Sequence, residues 1–111
     1  MNVITISISY DARSNGLTLS DGTSTGPDIT TVVSPNDVVV WQLTPDSGID
    51  SIDAIHDSST TDLFTPDPVK LGNSVWQGTV GNFPSKAEEA YCIYYTRRGV
   101  QNTHDPKIQM H

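Results

Sequence analysis

The residues able to do chemistry are few: one cysteine, three histidines, two methionines and a run of aspartates in the middle of the chain. Cys92, His104 and Met110 near the end, with His56 upstream, are the types a blue-copper centre uses. Such a centre needs two imidazoles and a thiolate converging, with a distant axial thioether. The closing His should then follow the Cys across one short loop, whereas His104 lies twelve positions after Cys92, and Cys92 sits inside a strand pattern. A thiol on a strand packs as a small apolar group. Zinc is disfavoured as well, because His56, His104 and His111 stand singly rather than in ligand-spaced pairs. Asp46, Asp50, Asp53, Asp57 and Asp62 offer the oxygen ligands calcium wants, but not at EF-hand spacing. Aspartate is also a common turn residue, so whether the Asp46–Asp62 stretch binds calcium stays open.

Catalysis finds no better support. There is no Gly-x-Ser-x-Gly elbow and no Gly-rich phosphate loop. His56-Asp57 and His104-Asp105 are neighbours in sequence and nothing more. A Cys92–His104 dyad requires an exposed, activated thiolate, for which no residue speaks. The expectation is a protein without catalytic residues, metal ligands or cofactor. Tyr91, Tyr94, Tyr95, Trp41 and Trp76 could form a stacking platform for sugars, although such rings in strands more often fill a core. Tyr94 points opposite to Tyr91 and Tyr95 and is the ring expected at the surface. Tyr94, Asp57, Asp62 and Phe64 make up the predicted binding surface, the last three on a long segment from Asp57 to Asn73.

The formal net charge of −7, from 13 acidic and 6 basic residues, argues against nucleic acid and against anionic membrane surfaces. It favours solubility at neutral pH, and the self-repulsion should vanish near the pI of about 4.5. A single cysteine permits no internal disulfide. No run approaches the ~20 apolar residues of a spanning helix. The start, Asn2-Val3-Ile4-Thr5-Ile6, alternates at once and lacks the basic and apolar regions of a secretory signal. A cytoplasmic protein is expected, barring a non-classical or lysis-dependent exit.

The elements that position these residues read as strands. Ile4, Ile6, Ile8 and Tyr10 alternate with Thr5, Ser7 and Ser9, the period of a half-buried strand. Asn15-Gly16 predicts a turn, and Ser20 to Asp28 a loop. Ile29 to Val33 is followed by a Ser34-Pro35-Asn36-Asp37 turn, then by Val38 to Leu43 with Val39, Trp41 and Leu43 facing the core. Ile49, Ile52 and Ile55 hint at helix by spacing, yet the Ser and Asp content favours a strand over Ser51 to His56. Asp57 to Asn73 reads as an ordered loop anchored by Leu63, Phe64 and Val69. Val75 to Val80 and Tyr91 to Arg97 are strands, while Ala87 to Ala90 is too short to be more than a turn. Lys107 to His111 closes the chain with Ile108 and Met110 inward. Seven or so short strands with turn chemistry between them predict one antiparallel Greek-key β-sandwich over residues 1–111.

Two stretches carry a resemblance. Val33-Ser34-Pro35-Asn36-Asp37-Val38-Val39-Val40-Trp41 resembles the turn-to-core-strand entry of cupredoxin-like domains. Tyr91-Cys92-Ile93-Tyr94-Tyr95-Thr96-Arg97-Arg98-Gly99, followed by His104-Asp105-Pro106-Lys107-Ile108, is similar to the ending of bacterial inclusion-body proteins of the AidA/PixA type. Together they cover about a third of the chain, which is shorter than the usual members. The resemblance implies a cupredoxin-like sandwich without copper, abundant in the bacterial cytoplasm and accumulating in ordered inclusions. No ligand set comes with it. The leading expectation is therefore a non-enzymatic protein acting through homo-oligomeric self-association; the alternative is a small module binding a glycan or host protein, and the third a metal protein using His56, Cys92 and His104.

Overall fold

In the computed structural model, residues 2–13, 16–57, 62–64, 68–72 and 74–111 are described. Asn15, Asn73 and the Asp57 side chain, all used in the expectations above, lie outside them. The strands are β1 (Val3–Asp11), β2 (Gly16–Ser20), β3 (Thr25–Gly26), β4 (Thr30–Val33), β5 (Val38–Leu43), β6 (Ser51–Asp57), β7 (Val69–Gly72), β8 (Val75–Thr79), β9 (Glu88–Arg97), β10 (Val100–His104) and β11 (Lys107–Met110). Among the described residues there is no helix, and so none long and apolar enough to cross a membrane.

Two sheets form the sandwich. The first runs β3-β2-β1-β5-β8-β7; the second runs β10-β9-β11-β4, with β6 on β9 as well. Both β6 and β10 pair with Ile93 to Thr96, so they occupy opposite sides of β9. The expected all-β sandwich is present, but its pairing is mixed rather than antiparallel. β1 lies parallel to β5, with Ile6 beside Trp41, and β4 lies parallel to β11, with Thr31 beside Ile108. Alternation reports which face of a strand is buried and carries no information on its direction relative to a neighbour.

The alternating residues do face inward. Ile6, Ile8, Val39, Trp41, Tyr91, Ile93, Ile108 and Met110 are all buried. Trp41 is the centre: its Nε1–H donates to Tyr91 Oη at 3.0 Å, and its ring meets Phe64 and Tyr91 edge-on at 5.2 and 5.5 Å. The buried indole N–H thus finds an acceptor in the Tyr91 hydroxyl, which burial requires of it.

Turn chemistry follows the residues. Asn36 adopts φ 70° in the Ser34–Asp37 turn, a conformation asparagine tolerates. Buried Asp37 accepts the amides of Asn2 and Ser34 at 3.0 and 2.9 Å, tying this turn to the start of β1. Arg98 and Gly99 both have positive φ between paired Arg97 and Val100, the two-residue form that matches strand twist. Pro106 precedes β11 and its carbonyl accepts the Tyr91 amide at 3.2 Å.

Three local expectations need correction. Ser20 to Asp28 contains the two-residue β3. Ala87 to Ala90 is no turn of its own, because Glu88 already begins β9 after a turn at Ser85-Lys86. Within Asp57 to Asn73, Val69 to Gly72 is a strand rather than loop.

Candidate functional site

The three residues of the metal-protein alternative do not converge. His56 and Cys92 are cross-strand partners, but the His104 ring turns to the Pro27 carbonyl and hydrogen-bonds it through Nε2. Burial pushes the Cys92 thiol up, and the Asp105 carboxylate pushes it further, so the group is a poor thiolate source. His111 is exposed at the end of the chain. Among the described residues no three of His, Cys, Asp and Glu are grouped to hold a metal.

The acidic stretch is occupied with shaping the backbone. Asp46 sits at φ 59° in a turn, Asp50 accepts the Gly99 amide at 3.2 Å, and Asp62 accepts the Phe64 amide at 3.1 Å. Asp53 accepts from Ser51 Oγ, Thr96 Oγ1 and Gln101 Nε2 at 2.7, 2.5 and 3.2 Å. Desolvation works against its charge, but those hydrogen bonds and the Lys70 ammonium outweigh it and hold the carboxyl below the ordinary range.

The predicted binding surface separates. Phe64 does not belong to a surface: it is 2% exposed, packed on Trp41, and bridged to Val80. The preceding residue explains why, since the Leu63 amide donates to the buried Glu89 carboxylate at 2.6 Å and draws the segment inward. Leu63 and Phe64 therefore anchor the segment as expected, while Val69 does not. Asp62 is half-buried beside them. Asp57 ends β6 opposite Tyr91. Tyr94 is half-buried on the outer face of β9, where His56 meets it edge-on at 5.7 Å and Thr103 and Ala54 are its strand partners. Trp41 and Tyr91 are core rings, so no five-ring platform exists.

The feature that alternation missed is β7. All four residues, Val69-Lys70-Leu71-Gly72, are exposed, with Val69 at 51% and Leu71 at 59%. β7 pairs with β8 on one side and, among the described residues, with no strand on the other. On its partner β8, Gly78 lets Phe64 come so near that a Cβ there would stand 2.7 Å from the ring. An apolar-Lys-apolar-Gly run after Pro68 was the available signal, but four residues are too few for periodicity to declare.

β7 also continues an unusual face. Ten outward positions of β1, β5, β8 and β7 fall in register as Val3-Val38-Thr79, Thr5-Val40-Gln77-Val69 and Ser7-Gln42-Val75, with the charged Asp11 on the same side at the far end of β1. None of these ten carries a charge, on a chain of net charge −7.

No family model and no curated protein matches this sequence. Among solved structures the chain is similar to an endo-fucoidan hydrolase of glycoside hydrolase family 107, with a TM-score of 0.52 and 9% identity over 86% of this chain. It spans only 18% of that enzyme's chain. It is also similar to a cysteine protease inhibitor from Entamoeba histolytica, with a TM-score of 0.47 and 13% identity, covering 100% of this chain and 97% of the other. At 9% identity the first likeness concerns the fold alone.

Proposed function

We propose that this is a non-enzymatic β-sandwich that acts by self-association, with β7 as the pairing edge. The carrying observation is an edge strand that, among the described residues, pairs on one side only, and whose Val69 and Leu71 are both more than half exposed. An apolar edge of that kind is a template for another strand, and soluble monomers normally blunt it. Lys70 is the one such guard on β7. A second copy of β7 running antiparallel about a two-fold axis would join two six-stranded sheets into one of twelve. The uncharged outward positions beside it support the same reading, because there two acidic copies meet with the least like-charge repulsion. An inclusion-forming or accessory role in the bacterial cytoplasm agrees with the resemblance of the C-terminal strands.

Light scattering after size exclusion, at several concentrations from about pH 8 to about pH 5, tests this. Discrete oligomers growing with concentration and with falling pH are expected. A monomer of 12.0 kDa throughout would refute it.

One observation favours a second reading, a glycan- or protein-binding module. On the outer face of β6, β9 and β10, Tyr94 stands beside the Ser51, Thr96 and Gln101 side chains gathered on Asp53. A Tyr94 ring resonance that shifts with added saccharide in the wild type would support that module.

A further inference from the structure

The structure points to an anion site at the β9–β10 end of the sandwich, and we infer that it takes a small carboxylic acid. It is independent of self-association through β7. The two-residue turn at Arg98-Gly99 places two consecutive arginines, of only 6 basic residues in the chain, at one end of the molecule. Arg97 follows Tyr95 by two positions, so both side chains leave β9 on the inward side. There the Arg97 guanidinium lies 3.5 Å from the centroid of the Tyr10 ring, which belongs to the other sheet. Beside it is a hollow of about 220 Å³ lined by Tyr10, Tyr95, Arg97, Arg98, Val100 and Asn102.

Three features of this hollow favour a carboxylate. First, Arg97 Nε is buried and has no hydrogen-bond partner among the described residues, although buried donors, and charged ones above all, are almost always paired. Tyr10 covers one face of the guanidinium and Nε is closed off from solvent, so the two terminal Nη groups are the pair that can receive a carboxylate through two parallel hydrogen bonds. Second, no acidic side chain lines the hollow. Of the carboxylates beside the lining segments, Asp50 accepts the Gly99 amide at 3.2 Å and Asp11 accepts the Arg13 amide at 3.0 Å. In a chain of net charge −7 an anion is repelled from most of the surface, and a pocket holding two guanidinium groups is an exception by construction. Third, the size selects. Pockets for drug-sized ligands run from roughly 300 to 1,000 Å³, so this one suits an acid of a few carbons. Val100 offers an apolar wall for the carbons and Asn102 an amide for a second polar group.

The test follows the Arg97 Nε–H resonance by nitrogen-15 NMR while succinate, its neutral diamide and inorganic phosphate are added separately. Succinate is expected to give a saturating shift and the diamide none. Arg97→Lys, which keeps the charge but loses the fork, should weaken succinate binding at least about tenfold. Val100→Trp, at an exposed position, should fill the hollow and abolish binding in a folded protein even if the arginine variant does not fold. A short peptide with a free C-terminal carboxylate, compared with its amidated form, separates a partner's terminus from a free acid as the source. If succinate leaves Arg97 Nε–H unmoved, if phosphate saturates it more tightly, or if both variants bind as the wild type does, the assignment is wrong.

Discussion

Replacing Val69 and Leu71 together with lysine tests the β7 reading with a built-in sign. Fully burying a Val or Leu side chain is worth roughly 1.5–3 kcal/mol. Val69 and Leu71 are 51% and 59% exposed, so about half of that remains to be gained on pairing. That is about 1 kcal/mol for each side chain and about 4 kcal/mol for the two residues of two copies. At 1.4 kcal/mol per decade, removing it should weaken a β7-paired dimer by about three orders of magnitude. Both positions are exposed, so the fold itself should lose little stability.

The sign matters because the change also moves the net charge from −7 to −7 + 2 = −5. If association were limited by overall charge repulsion, the double-lysine variant would associate more readily than the wild type. If β7 is the pairing edge, it must associate less. Sedimentation velocity over several decades of concentration, at neutral pH and at two salt levels, reads the difference directly. A variant that dimerises as well as the wild type, or better, refutes the edge-pairing argument whatever the pH dependence shows.

Gly78→Ala should destabilise the monomer by about 1–3 kcal/mol through overpacking against the Phe64 ring. In a Phe64→Ala background the same change should be nearly neutral, and equal costs by urea unfolding in both backgrounds would contradict the contact. Tyr91→Phe leaves the Trp41 Nε1–H unpaired in the core and should cost about 1–3 kcal/mol, read by chemical denaturation. Asp21→Asn probes a carboxylate that accepts the amides of Thr23 and Ser24 at 2.9 and 2.7 Å and the Thr31 hydroxyl at 2.8 Å. Desolvation raises its pKa, but these bonds together lower it below the ordinary 3.8. The charged form is thus favoured on folding, and its contribution is complete above the unfolded value and lost as pH falls through the folded one. Wild type should exceed the variant by about 1 kcal/mol near pH 6, after allowance for solvent screening. The gap should close below about pH 3.8, as thermal unfolding at a series of pH values would show.

The strands most legible in the sequence were those with one face in the core and a full period-two pattern. Ile4 to Tyr10, Val38 to Leu43 and Tyr91 to Arg97 each alternate, and each packs as the alternation implies. Ser51 to His56 is a strand as expected, and the helix-like spacing of Ile52 and Ile55 inside it has a definite reason. The β6–β9 ladder slips between Ile52 and Ala54, so Asp53 is an extra residue and both Ile52 and Ile55 point inward at spacing three. A bulge converts a strand's period of two into a local three, which a helix also approximates.

The candidate surfaces were less legible. Tyr94 was placed on the outer face because its neighbours Tyr91, Ile93 and Tyr95 fixed the parity of β9. Phe64 was not, because the contact that buries it depends on Gly78, fourteen positions away, and on Glu89, whose carboxylate holds the Leu63 amide. β7 escaped because an edge is a property of sheet order. The order β3-β2-β1-β5-β8-β7 arises from parallel and crossover pairings that side-chain periodicity does not encode. Arg97 and Tyr10 are likewise brought together only by the stacking of the two sheets.

The arrangement of edges bears on what kind of assembly the chain can build. The other end of the first sheet is β3, two residues long with Gly26 at φ 148°, which is too short to template a partner strand. The sheet therefore offers one competent edge, and an isologous pair through β7 consumes it. Such pairing alone stops at a dimer. Growth into an ordered inclusion needs a second contact, and the outer face with Val3 63% exposed, continuous with Val69 of β7, offers one. The two contacts differ in physics. Strand pairing rests on backbone hydrogen bonds and a few apolar side chains, and depends weakly on pH. Stacking broad faces brings two whole acidic subunits together and gains most as the charge falls toward the pI of about 4.5. Dimers at neutral pH that give way to larger particles on acidification are thus the expected order of events, and the double-lysine change in β7 should suppress the first step.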